Sequence, residues 1–345
     1  MASRPERVSV TIVTFNSESF IGRCLEAVFA QDWLLLDVIV VDNASQDGTR
    51  SVLARYQERI EMILNDDNRG FAAAQNQAIG RATGEWILTL NPDVKLAPSF
   101  LSCLLRRSDL DANIGSLCGK LLRASPDLEP LPQPRVDSAG MFFTPSFRHL
   151  DRGSNQPDGP EYNQPALVFG ATAAAVLYRR SMIEDVSVNG EFFDEDFFAY
   201  REDADLAWRA QLLGWRCLYL PEAVGYHVRS VVPENRGELP ALLNRLSVQN
   251  RFLMRIKNVT PSLYLRHLLL VTARDIGIVL YCLAAEQSSL GAFASVFHKW
   301  RRTLAKRRNI QARRRASDSY MDSWFRFRPV VVPVAVPPQT ASLTV

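Results

Sequence analysis

The sequence of 345 residues lacks the cysteine patterns that mark disulfide frameworks and zinc sites. Its five cysteines form no Cys-x-x-Cys pair, and their odd number argues against complete pairing into disulfides. The first residues, MASRPERV, carry charges and lead directly into an apolar run, so they resemble neither an apolar signal segment nor a mitochondrial presequence. These absences predict a reduced protein that acts on the cytoplasmic side of a membrane.

Acidic residues are absent from residues 299–315, which contain nine lysines and arginines and are called the basic segment below. Because the net charge of the whole chain is +3, the remainder carries −6. The basic segment predicts either docking onto an anionic lipid surface, where each basic side chain contributes about 1 kcal/mol, or a solvated basic helix. No reader motif for nucleic acid accompanies the charge, so nucleic acid is not an expected partner.

Four apolar, β-branched runs in the first ninety residues predict strands that alternate with helices. The strands are expected at residues 8–14, 37–41, 60–64 and 86–90, and the first helix at 17–31. Continuous apolar runs are typical of parallel strands that helices cover on both faces. Right-handed crossovers between such strands produce an α/β fold with a doubly wound sheet.

Two of the apolar strands end in a carboxylate. Asp42 ends the run VIVVD, and Asp93 follows the run WILTLNP. In an open α/β sheet, ligands bind at the carboxyl ends of the strands. Asp93 is therefore placed for metal–diphosphate chemistry rather than for packing.

Residues 125–165 contain eight prolines, which predicts an irregular region without a regular element. Loops of this length inside a compact domain are commonly functional. The region is expected to be either a mobile lid on the acceptor side or a simple surface insertion. A single small-residue strand is predicted after it, at residues 166–178.

Residues 191–205, called the acidic segment below, carry seven carboxylates, one arginine, four phenylalanines and a tyrosine. The aromatic side chains favour burial, which would draw the carboxylates toward a wall or cleft. A helical pattern follows and ends near Gly214, so Glu202 and Asp203 lie at its first turn, where the helix dipole favours ionised carboxylates. An ionised Asp203 suits a general base, and simple helix capping is the alternative.

Six motifs in this chain resemble those of family-2, inverting, metal-dependent nucleotide-sugar glycosyltransferases of the GT-A type. They are SVTIVTFNS, VVDNASQDGT, NRGFAAAQN, LNPDV, FFAYREDADLAWR and LGWRCLYLPEAVGYH, in family order across residues 8–227. Within the family the chain is most similar to rhamnosyltransferase-like enzymes of bacterial surface-polysaccharide synthesis. The resemblance implies a GT-A fold, a doubly wound, Rossmann-like mixed sheet with a C-terminal helical appendage.

The resemblance also implies a binding site for a nucleoside-diphosphate sugar. The residues expected to contact this donor are Thr14, Phe15, Asn16, Asp42, Arg69, Gly70, Asn76 and Asn91. Asp42 would contact the pyrimidine or the ribose, and Arg69 and Gly70 would line the base or the diphosphate. Asn91 stands where many relatives carry a first aspartate, which implies that the donor supplies much of the metal coordination.

By the same resemblance, Asp93 would bind Mg²⁺ or Mn²⁺ bridging the diphosphate oxygens, since hard cations prefer carboxylate and phosphate oxygen. A lone histidine is more often structural, but the motif of His227 corresponds to the family position that completes the metal or diphosphate site. Asp203, with Glu202 beside it, is implied to be the catalytic base that takes a proton from an acceptor hydroxyl. The expected reaction moves rhamnose or a similar sugar to a glycan or lipid-linked acceptor.

Two functions of other classes remain open. A sugar nucleotidyltransferase would also have an α/β nucleotide domain, but the run TIVTFNSES lacks the expected glycine-rich phosphate loop with a basic residue. A non-catalytic sugar-nucleotide binding protein would keep Asp42 and Asp93 and would need no base at Asp203.

The chain is expected to divide into three parts. Residues 1–238 form the catalytic domain, with a donor half at 1–97 and an acceptor half at 98–238. Residues 239–315 are expected to be helical and to lie peripherally on the inner face of the cell membrane, because Arg274 and Asp275 interrupt the apolar run at 267–285. Residues 316–345 are expected to be a loosely ordered tail.

Overall fold

The computed structural model of the chain describes residues 6–106, 111–229 and 240–334. The amino-terminal strands are β1 (Val8–Thr14), β2 (Leu36–Asp42), β3 (Glu61–Leu64) and β4 (Trp86–Leu90). They pair in parallel in the order β3-β2-β1-β4. The first and fourth strands have the bounds predicted from the sequence, and the other two differ by one residue at their ends. The predicted doubly wound arrangement is therefore confirmed.

Three helices connect these strands, namely α1 (Glu18–Phe29), α2 (Thr49–Ala54) and α3 (Phe71–Arg81). Helix α1 buries Ile21, Cys24, Leu25 and Val28, which recur at helical spacing on one face. Phe20, expected on that face, is only partly buried. Helix α3 buries four alanines, whose small side chains allow close packing on the sheet. Apolar clusters lie on both faces of the sheet.

The second half of the chain extends the same sheet with strands of both directions. Its elements are β5 (Val94–Leu96), α4 (Phe100–Leu105), β6 (Ile114–Arg123), β10 (Ala166–Val168), β11 (Ala175–Arg179), α5 (Arg180–Val186), α6 (Glu202–Leu212) and β12 (Arg216–His227). Strand β11 is antiparallel to β4 and β6, whereas β12 runs parallel to β6. The mixed sheet predicted from the sequence is confirmed.

The single strand predicted at residues 166–178 is wrong, because the structure has two strands, β10 and β11, in this stretch. The chain leaves the sheet between them, where the Gly170 carbonyl accepts a hydrogen bond from Met141. A Cβ atom on Gly170 would lie 2.3 Å from the Cβ of Ala207 on α6. Glycine thus lets this excursion pass close to the helix that carries Asp203.

The proline-rich residues 125–165 contain regular structure, which corrects the expectation of an irregular region. Strand β7 (Val136–Ser138) pairs with β6, and β8 (Met141–Phe143) pairs with β9 (His149–Asp151) as a two-stranded sheet. The prolines lie before, between and after these strands, where no strand hydrogen bond is lost. Phe143 and Phe147 are buried against Trp208 of α6, so this region packs onto that helix.

The helices predicted after residue 239 are present. They are α7 (Ala241–Asn258), α8 (Pro261–Arg266), α9 (Leu268–Ala284) and α10 (Gly291–Ala312). In the described part of the chain no one helix has both the length and the hydropathy of a membrane span. Leu268–Ala284 and Gln287–Ala312 meet those criteria only as a pair, which is bent by 119°.

The described part of the expected tail, residues 316–334, differs from a loosely ordered segment. It contains helix α11 (Asp318–Ser323) and strand β13 (Val332–Pro333), which pairs with β10 at the sheet edge. Met321 and Phe325 are fully buried, and this apolar burial explains why the segment is fixed. The rest of the tail, residues 335–345, lies outside the described residues.

The basic and acidic segments form ion pairs with each other. The Lys306 ammonium is buried and lies 2.8 Å from Glu191, 2.5 Å from Asp194 and 3.0 Å from Asp196. Lys257 of α7 also contacts Asp194. Seven of the nine basic residues of the basic segment contact protein groups, which neither the lipid-docking nor the solvated-helix interpretation anticipated.

These pairs explain the pKa values of the segment. Burial opposes the charged form of Asp194, but the ammonium groups of Lys257 and Lys306 hold the pKa of its carboxyl well below the usual range. Asp205 pairs with Arg209, four residues later on α6, at 2.9 Å, and also with Lys257 at 2.8 Å. Much of the acidic segment is thus structural, which leaves Glu202 and Asp203 as its functional candidates.

Candidate functional site

The carboxyl ends of β1 and β2 lie side by side at the edge of the sheet. The Thr14 hydroxyl donates to Oδ1 of Asp42 at 3.1 Å, and Arg50 Nε donates to Oδ2 at 2.6 Å. The backbone N–H of Ser45 also donates to Oδ2, at 3.2 Å. Because Asp42 is fully buried under these partners, its predicted contact with a nucleotide stays a prediction.

Phe15 and Asn16 follow β1 and are exposed. The ring of Phe15 is 48% exposed, an unusual position for an apolar side chain unless a ligand or partner covers it. Asn16 has a left-handed φ of 51°, and its side chain accepts a hydrogen bond from Gln46 N–H at 2.8 Å. These two residues present an open surface beside the buried Thr14–Asp42 pair.

Arg69 and Gly70 precede helix α3. The backbone N–H of Arg69 donates to Asn43 at 3.1 Å, and its side chain is exposed. Gly70 has a φ of +84°, and a Cβ there would lie 2.6 Å from both the ring and the carbonyl oxygen of Phe198. Glycine is therefore required where the donor half meets the acidic segment.

Asn76 lies one turn further along α3 and binds the backbone of Phe193. Its amide accepts from Phe193 N–H at 2.9 Å and donates to the carbonyl of the same residue at 2.8 Å. The amide also donates to Glu195 at 3.1 Å. The amide thus joins the two halves of the chain, and its predicted contact with the donor stays a prediction.

Asn91 and Asp93 follow β4 at the point where the strand order reverses, next to β1. The Asn91 N–H donates to the carbonyl of Ala174 at 2.9 Å. Antiparallel pairing of β5 with β12 sets His227 opposite Val94, and Val228 N–H donates to the Asp93 carbonyl at 3.0 Å. As a result, Oδ1 of Asp93 lies 3.5 Å from Nε2 of His227.

His227 lies between two carboxylates. Its Nδ1–H donates to Oδ2 of the buried Asp137 at 2.7 Å, which orients the ring with Nε2 toward Asp93. Burial favours the neutral ring, but the hydrogen bonds and charges of Asp137 and Asp93 raise the pKa of His227 to about 9. His227 is therefore an imidazolium near neutral pH.

Asp137, Arg229 and Asp151 belong to the site, and the sequence analysis missed all three. Arg229 lies 3.0 Å from Asp137 and 2.7 Å from Asp151, and these carboxylates raise its pKa although burial opposes the charge. Burial also opposes ionisation of Asp137, yet bonding to His227 and the nearby arginines lower its pKa. Asp137 lies in β7 and Asp151 lies in β9, inside the region expected to be irregular. Each is a single carboxylate, and no surrounding sequence pattern marks it as a site residue.

Asp203 lies in the first turn of α6. Its carboxylate accepts from Ala204 N–H at 2.7 Å and from Ala173 N–H at 3.4 Å. Burial and the charge of Asp151 raise its pKa to about 6, and these two N–H groups and Arg229 oppose the rise. Contrary to the expectation from the helix dipole, burial dominates, but the carboxyl is still largely ionised at neutral pH.

Glu202 differs from its neighbour. Its side chain is buried, and its Oε2 has no hydrogen-bond partner among the described residues. Burial and the adjacent Asp203 raise the pKa of Glu202 well above the usual value. Burial and the neighbouring carboxylate therefore disfavour the charged form of Glu202 more strongly than that of Asp203.

Two connections bring Asp203 to the edge of the sheet where Asp93 lies. Ala173, which donates to Asp203, precedes Ala174, whose carbonyl accepts from Asn91. On the other side, Arg229, whose charge lowers the pKa of Asp203, is linked by ion pairs through Asp137 to His227 and Asp93. The carboxylates of Asp93 and Asp203 therefore belong to one connected polar site.

The loop before Asp203 is conformationally strained. Phe198, Tyr200 and Arg201 have φ values of 63°, 68° and 72°, in the left-handed region that non-glycine residues rarely adopt. Asn250 of α7 donates from Nδ2 to the carbonyls of Phe197, Ala199 and Tyr200 at 2.9, 2.9 and 2.8 Å. Strain of this kind persists where surrounding contacts impose it and is common at functional sites.

The residues around Asp93 fit a divalent cation. Two ligands that each lie about 2.1 Å from an octahedral cation are about 3 Å apart, close to the 3.5 Å between Asp93 and His227. The described residues contain no group of three or more His, Cys, Asp or Glu side chains arranged to hold a metal. A cation here would take its remaining ligands from diphosphate oxygens and water, as Mg²⁺ commonly does.

A family model described as Glycosyl transferase family 2 matches residues 9–186. The Succinoglycan biosynthesis protein ExoO of Rhizobium meliloti is 33% identical over 234 residues, which are 64% of this chain and 61% of that protein. The N-acetylglucosaminyl-diphospho-decaprenol L-rhamnosyltransferase of Mycobacterium tuberculosis is 28% identical over 242 residues, 63% of this chain and 75% of that protein. The chain thus spans less than two thirds of the length of the first relative.

Solved structures share the fold. The structure of GalNAc-T7 with UDP, GalNAc and Mn²⁺ has a TM-score of 0.58 and 14% identity, covering 74% of this chain and 48% of that one. The structure of S. aureus TarS 1-349 in complex with UDP has a TM-score of 0.52 and 19% identity, covering 92% and 91%. At these identities the likeness concerns the fold alone, and it confirms the predicted GT-A type. The family match includes Asp93 but ends before Asp203 and His227.

Proposed function

The chain belongs to glycosyl transferase family 2, and from this premise we propose that it transfers rhamnose or a similar hexose from a nucleoside-diphosphate sugar. The acceptor is a hydroxyl of a glycan or lipid-linked glycan in polysaccharide synthesis, and the transfer inverts the anomeric configuration. The observation that carries this proposal is the connected site formed by the Asp93–His227 pair and Asp203.

Asp203 is proposed as the general base. Its pKa of about 6 leaves it ionised at neutral pH and still basic enough to take the acceptor proton as the oxygen attacks the anomeric carbon. The N–H of Ala204 orients the carboxylate, and the charge of Arg229 favours its ionised form. Glu202, which is buried beside Asp203, is proposed to assist this base.

Asp93 and His227 are proposed to hold Mg²⁺ or Mn²⁺. When bound, the cation stabilises the negative charge of the departing nucleoside diphosphate. Metal binding at Nε2 requires the neutral imidazole, so the proton that His227 carries must leave as the metal binds. Thr14, Phe15, Asn16, Asp42, Arg69, Gly70, Asn76 and Asn91 stay proposals for the donor side.

A donor screen tests the proposed function. We expect a matching nucleoside-diphosphate sugar with Mn²⁺ to stabilise the protein, by about 2.7 kcal/mol at a concentration of 100 Kd, and to raise Tm in a thermal-shift assay. Asp93→Asn is expected to abolish the part of the shift that depends on Mn²⁺. Asp127→Asn is the matched control, since Asp127 is exposed and its one ion pair among the described residues is with the exposed Arg23. A panel in which Mn²⁺ adds no stabilisation with any donor would contradict the proposed metal role.

The rate of transfer is expected to depend on pH through Asp203. A base must be deprotonated, so kcat/KM is expected to fall about tenfold per pH unit below the pKa of about 6 and to be level above it. The measurement is a pH profile of nucleoside-diphosphate release with Mn²⁺ at a saturating concentration at every pH, because metal binding at His227 also depends on pH. An acid limb near the ordinary aspartate value of about 4 would contradict the assignment of Asp203.

We also propose that the protein works peripherally at the inner face of the cell membrane, where a lipid-linked acceptor would lie. The support is the exposed apolar surface of α9, on which Leu269 is 84% exposed and Leu280 is 59% exposed. Most of the basic segment is committed to pairs inside the protein, so the apolar surface carries this proposal.

A further inference from the structure

A cluster of arginines surrounds His149, two residues before Asp151. Arg201 donates from Nη1 to Nδ1 of His149 at 2.8 Å. Since arginine has no acceptor, this nitrogen accepts and the ring is neutral. Burial and the neighbouring arginines accordingly hold the pKa of His149 well below its usual value, with contributions from Arg148, Arg201, Arg251 and Arg274.

Four different elements position these arginines, which are called the arginine cluster below. Arg201 precedes α6 and donates from Nε to the carbonyl of Ser247 on α7 at 3.0 Å. Arg251 lies one helical turn after Ser247, on the same face of α7. Arg274 of α9 donates to Ser146 at 3.1 Å, in the turn that leads to Arg148 and His149.

The positive charges of Arg251 and Arg274 are poorly balanced among the described residues. Nη1 of Arg251 is buried and has no hydrogen-bond partner there. Burial and the other arginines lower the pKa of Arg251 to about 8 and that of Arg274 to about 10. Asp275 opposes this effect, but Arg255 binds both oxygens of its carboxylate, at 3.0 and 2.7 Å.

Arginines held together against their own repulsion require an anion to balance them. The planar guanidinium group binds phosphate oxygens through paired N–H donors. Arg148 is exposed, and Arg201, Arg251 and Arg274 are half-buried, so a ligand can reach the cluster from solvent.

The arginine cluster lies beside the proposed base. His149 and Asp151 share one face of β9, about 7 Å apart along the strand, and Asp151 acts on the pKa of Asp203. Arg201 precedes Asp203 by two residues. The donor residues Thr14 and Asp42 lie instead at the ends of β1 and β2, so an anion at the cluster would belong to the acceptor.

Helix α9 also presents an apolar stripe. Leu270 and Tyr281 lie four residues before and seven residues after Arg274 on the same face of the helix, and they are 44% and 49% exposed. Exposed apolar side chains beside an arginine of the cluster match a molecule with a lipid chain and a phosphate.

We propose that the arginine cluster binds the phosphate or diphosphate group that joins the acceptor sugar to its lipid, with the lipid chain along α9. The assignment rests on the proposed function only in naming this group as part of the acceptor. The neutral His149 and the hydroxyls of Ser146 and Ser247 orient the arginines, and α9 fixes the direction from which the lipid arrives.

Binding of farnesyl diphosphate, measured by calorimetry in EDTA without nucleotide, tests the inference. We expect Arg251→Gln and Arg274→Gln each to weaken binding at least tenfold, while Arg308→Gln, an exposed arginine on α10, leaves it unchanged. Farnesol is expected to bind much more weakly than farnesyl diphosphate, and inorganic diphosphate to compete with it but to bind less tightly, because it lacks the lipid.

Thermal stability separates this role from a structural one. Because each variant removes one of several repelling charges, Arg251→Gln and Arg274→Gln are expected to raise the Tm of the free protein or leave it unchanged. Equal affinities for farnesol and farnesyl diphosphate would overturn the inference. The inference would also be overturned if glucuronate competed with farnesyl diphosphate more strongly than inorganic diphosphate does. Unchanged binding of farnesyl diphosphate in both arginine variants would overturn it as well. None of these measurements needs transfer activity, so a failure of the proposed reaction can be distinguished from a failure of the proposed phosphate site.

Discussion

Replacing Asp203 with asparagine is expected to lower kcat for sugar transfer by about 10³-fold, within the range of about 10²–10⁴ that proton transfer contributes. Asparagine keeps the size of the side chain and one oxygen that can accept from the N–H of Ala204, but it cannot take a proton. The KM for the donor is expected to stay within a few-fold, because Asp203 contacts none of the proposed donor residues through its side chain. Product formation and nucleoside-diphosphate release measure the two quantities.

Glu195→Gln is the matched control for this experiment. Glu195 lies in the same acidic segment, is exposed, and accepts a hydrogen bond from Asn76 that glutamine preserves. We expect this variant to keep wild-type kcat and Tm. If Asp203→Asn and Glu195→Gln released product at equal rates, Asp203 would not be the base. The non-catalytic binding protein predicts no transfer from either variant or from the wild type.

Replacing Lys306 with methionine is expected to lower the free energy of unfolding by about 3 kcal/mol, because removal of one partner leaves buried charges uncompensated. Lys306 contacts Glu191, Asp194 and Asp196 together, and all four side chains are mostly buried. Lys257 still compensates Asp194 in the variant, which places the loss at the lower end for buried pairs. Denaturant unfolding at pH 7 measures the change.

The pH dependence of the Lys306→Met effect follows from the lowered pKa of Asp194. A lowered carboxyl pKa contributes stability above the unfolded value of about 3.9, and that stability is lost as pH falls through the folded value. The difference between variant and wild type is therefore expected to be full at pH 7 and smaller in acid. Arg308→Met, an exposed change on the same helix, should stay within about 0.5 kcal/mol of wild type. A similar small effect for Lys306→Met would contradict the structural role.

The amino-terminal strands could be predicted because parallel strands are buried on both faces and read as continuous apolar runs. The Asp93–His227 contact could be anticipated from two motifs, although they are far apart in sequence, since the resemblance assigned both to one site. The prediction of one strand at 166–178 was wrong because an apolar, small-residue run does not reveal where the chain leaves the sheet. The point at which the chain leaves the sheet depends on the close packing of Gly170 against Ala207, and these two residues are far apart in the sequence.

Asp137 and Arg229 could not be predicted for a similar reason. Each is a single charged residue in an irregular sequence, and each acquires a role only when the β6–β7 and β6–β12 pairings bring it to His227. The acidic and basic segments received separate interpretations, a cleft wall and a lipid-docking helix. Neither run of charge indicates that the other, about a hundred residues away, neutralises it.

Asn250 has a consequence for how such enzymes diversify. One amide group on α7 shares its two N–H donors among three carbonyls of the loop that precedes the proposed base. The C-terminal helices, which are proposed to contact the acceptor, therefore also hold the loop that precedes the proposed base. If recombination replaced these helices to change acceptor specificity, the new helices would need a hydrogen-bond donor equivalent to Asn250. Acceptor specificity and turnover are therefore expected to change together.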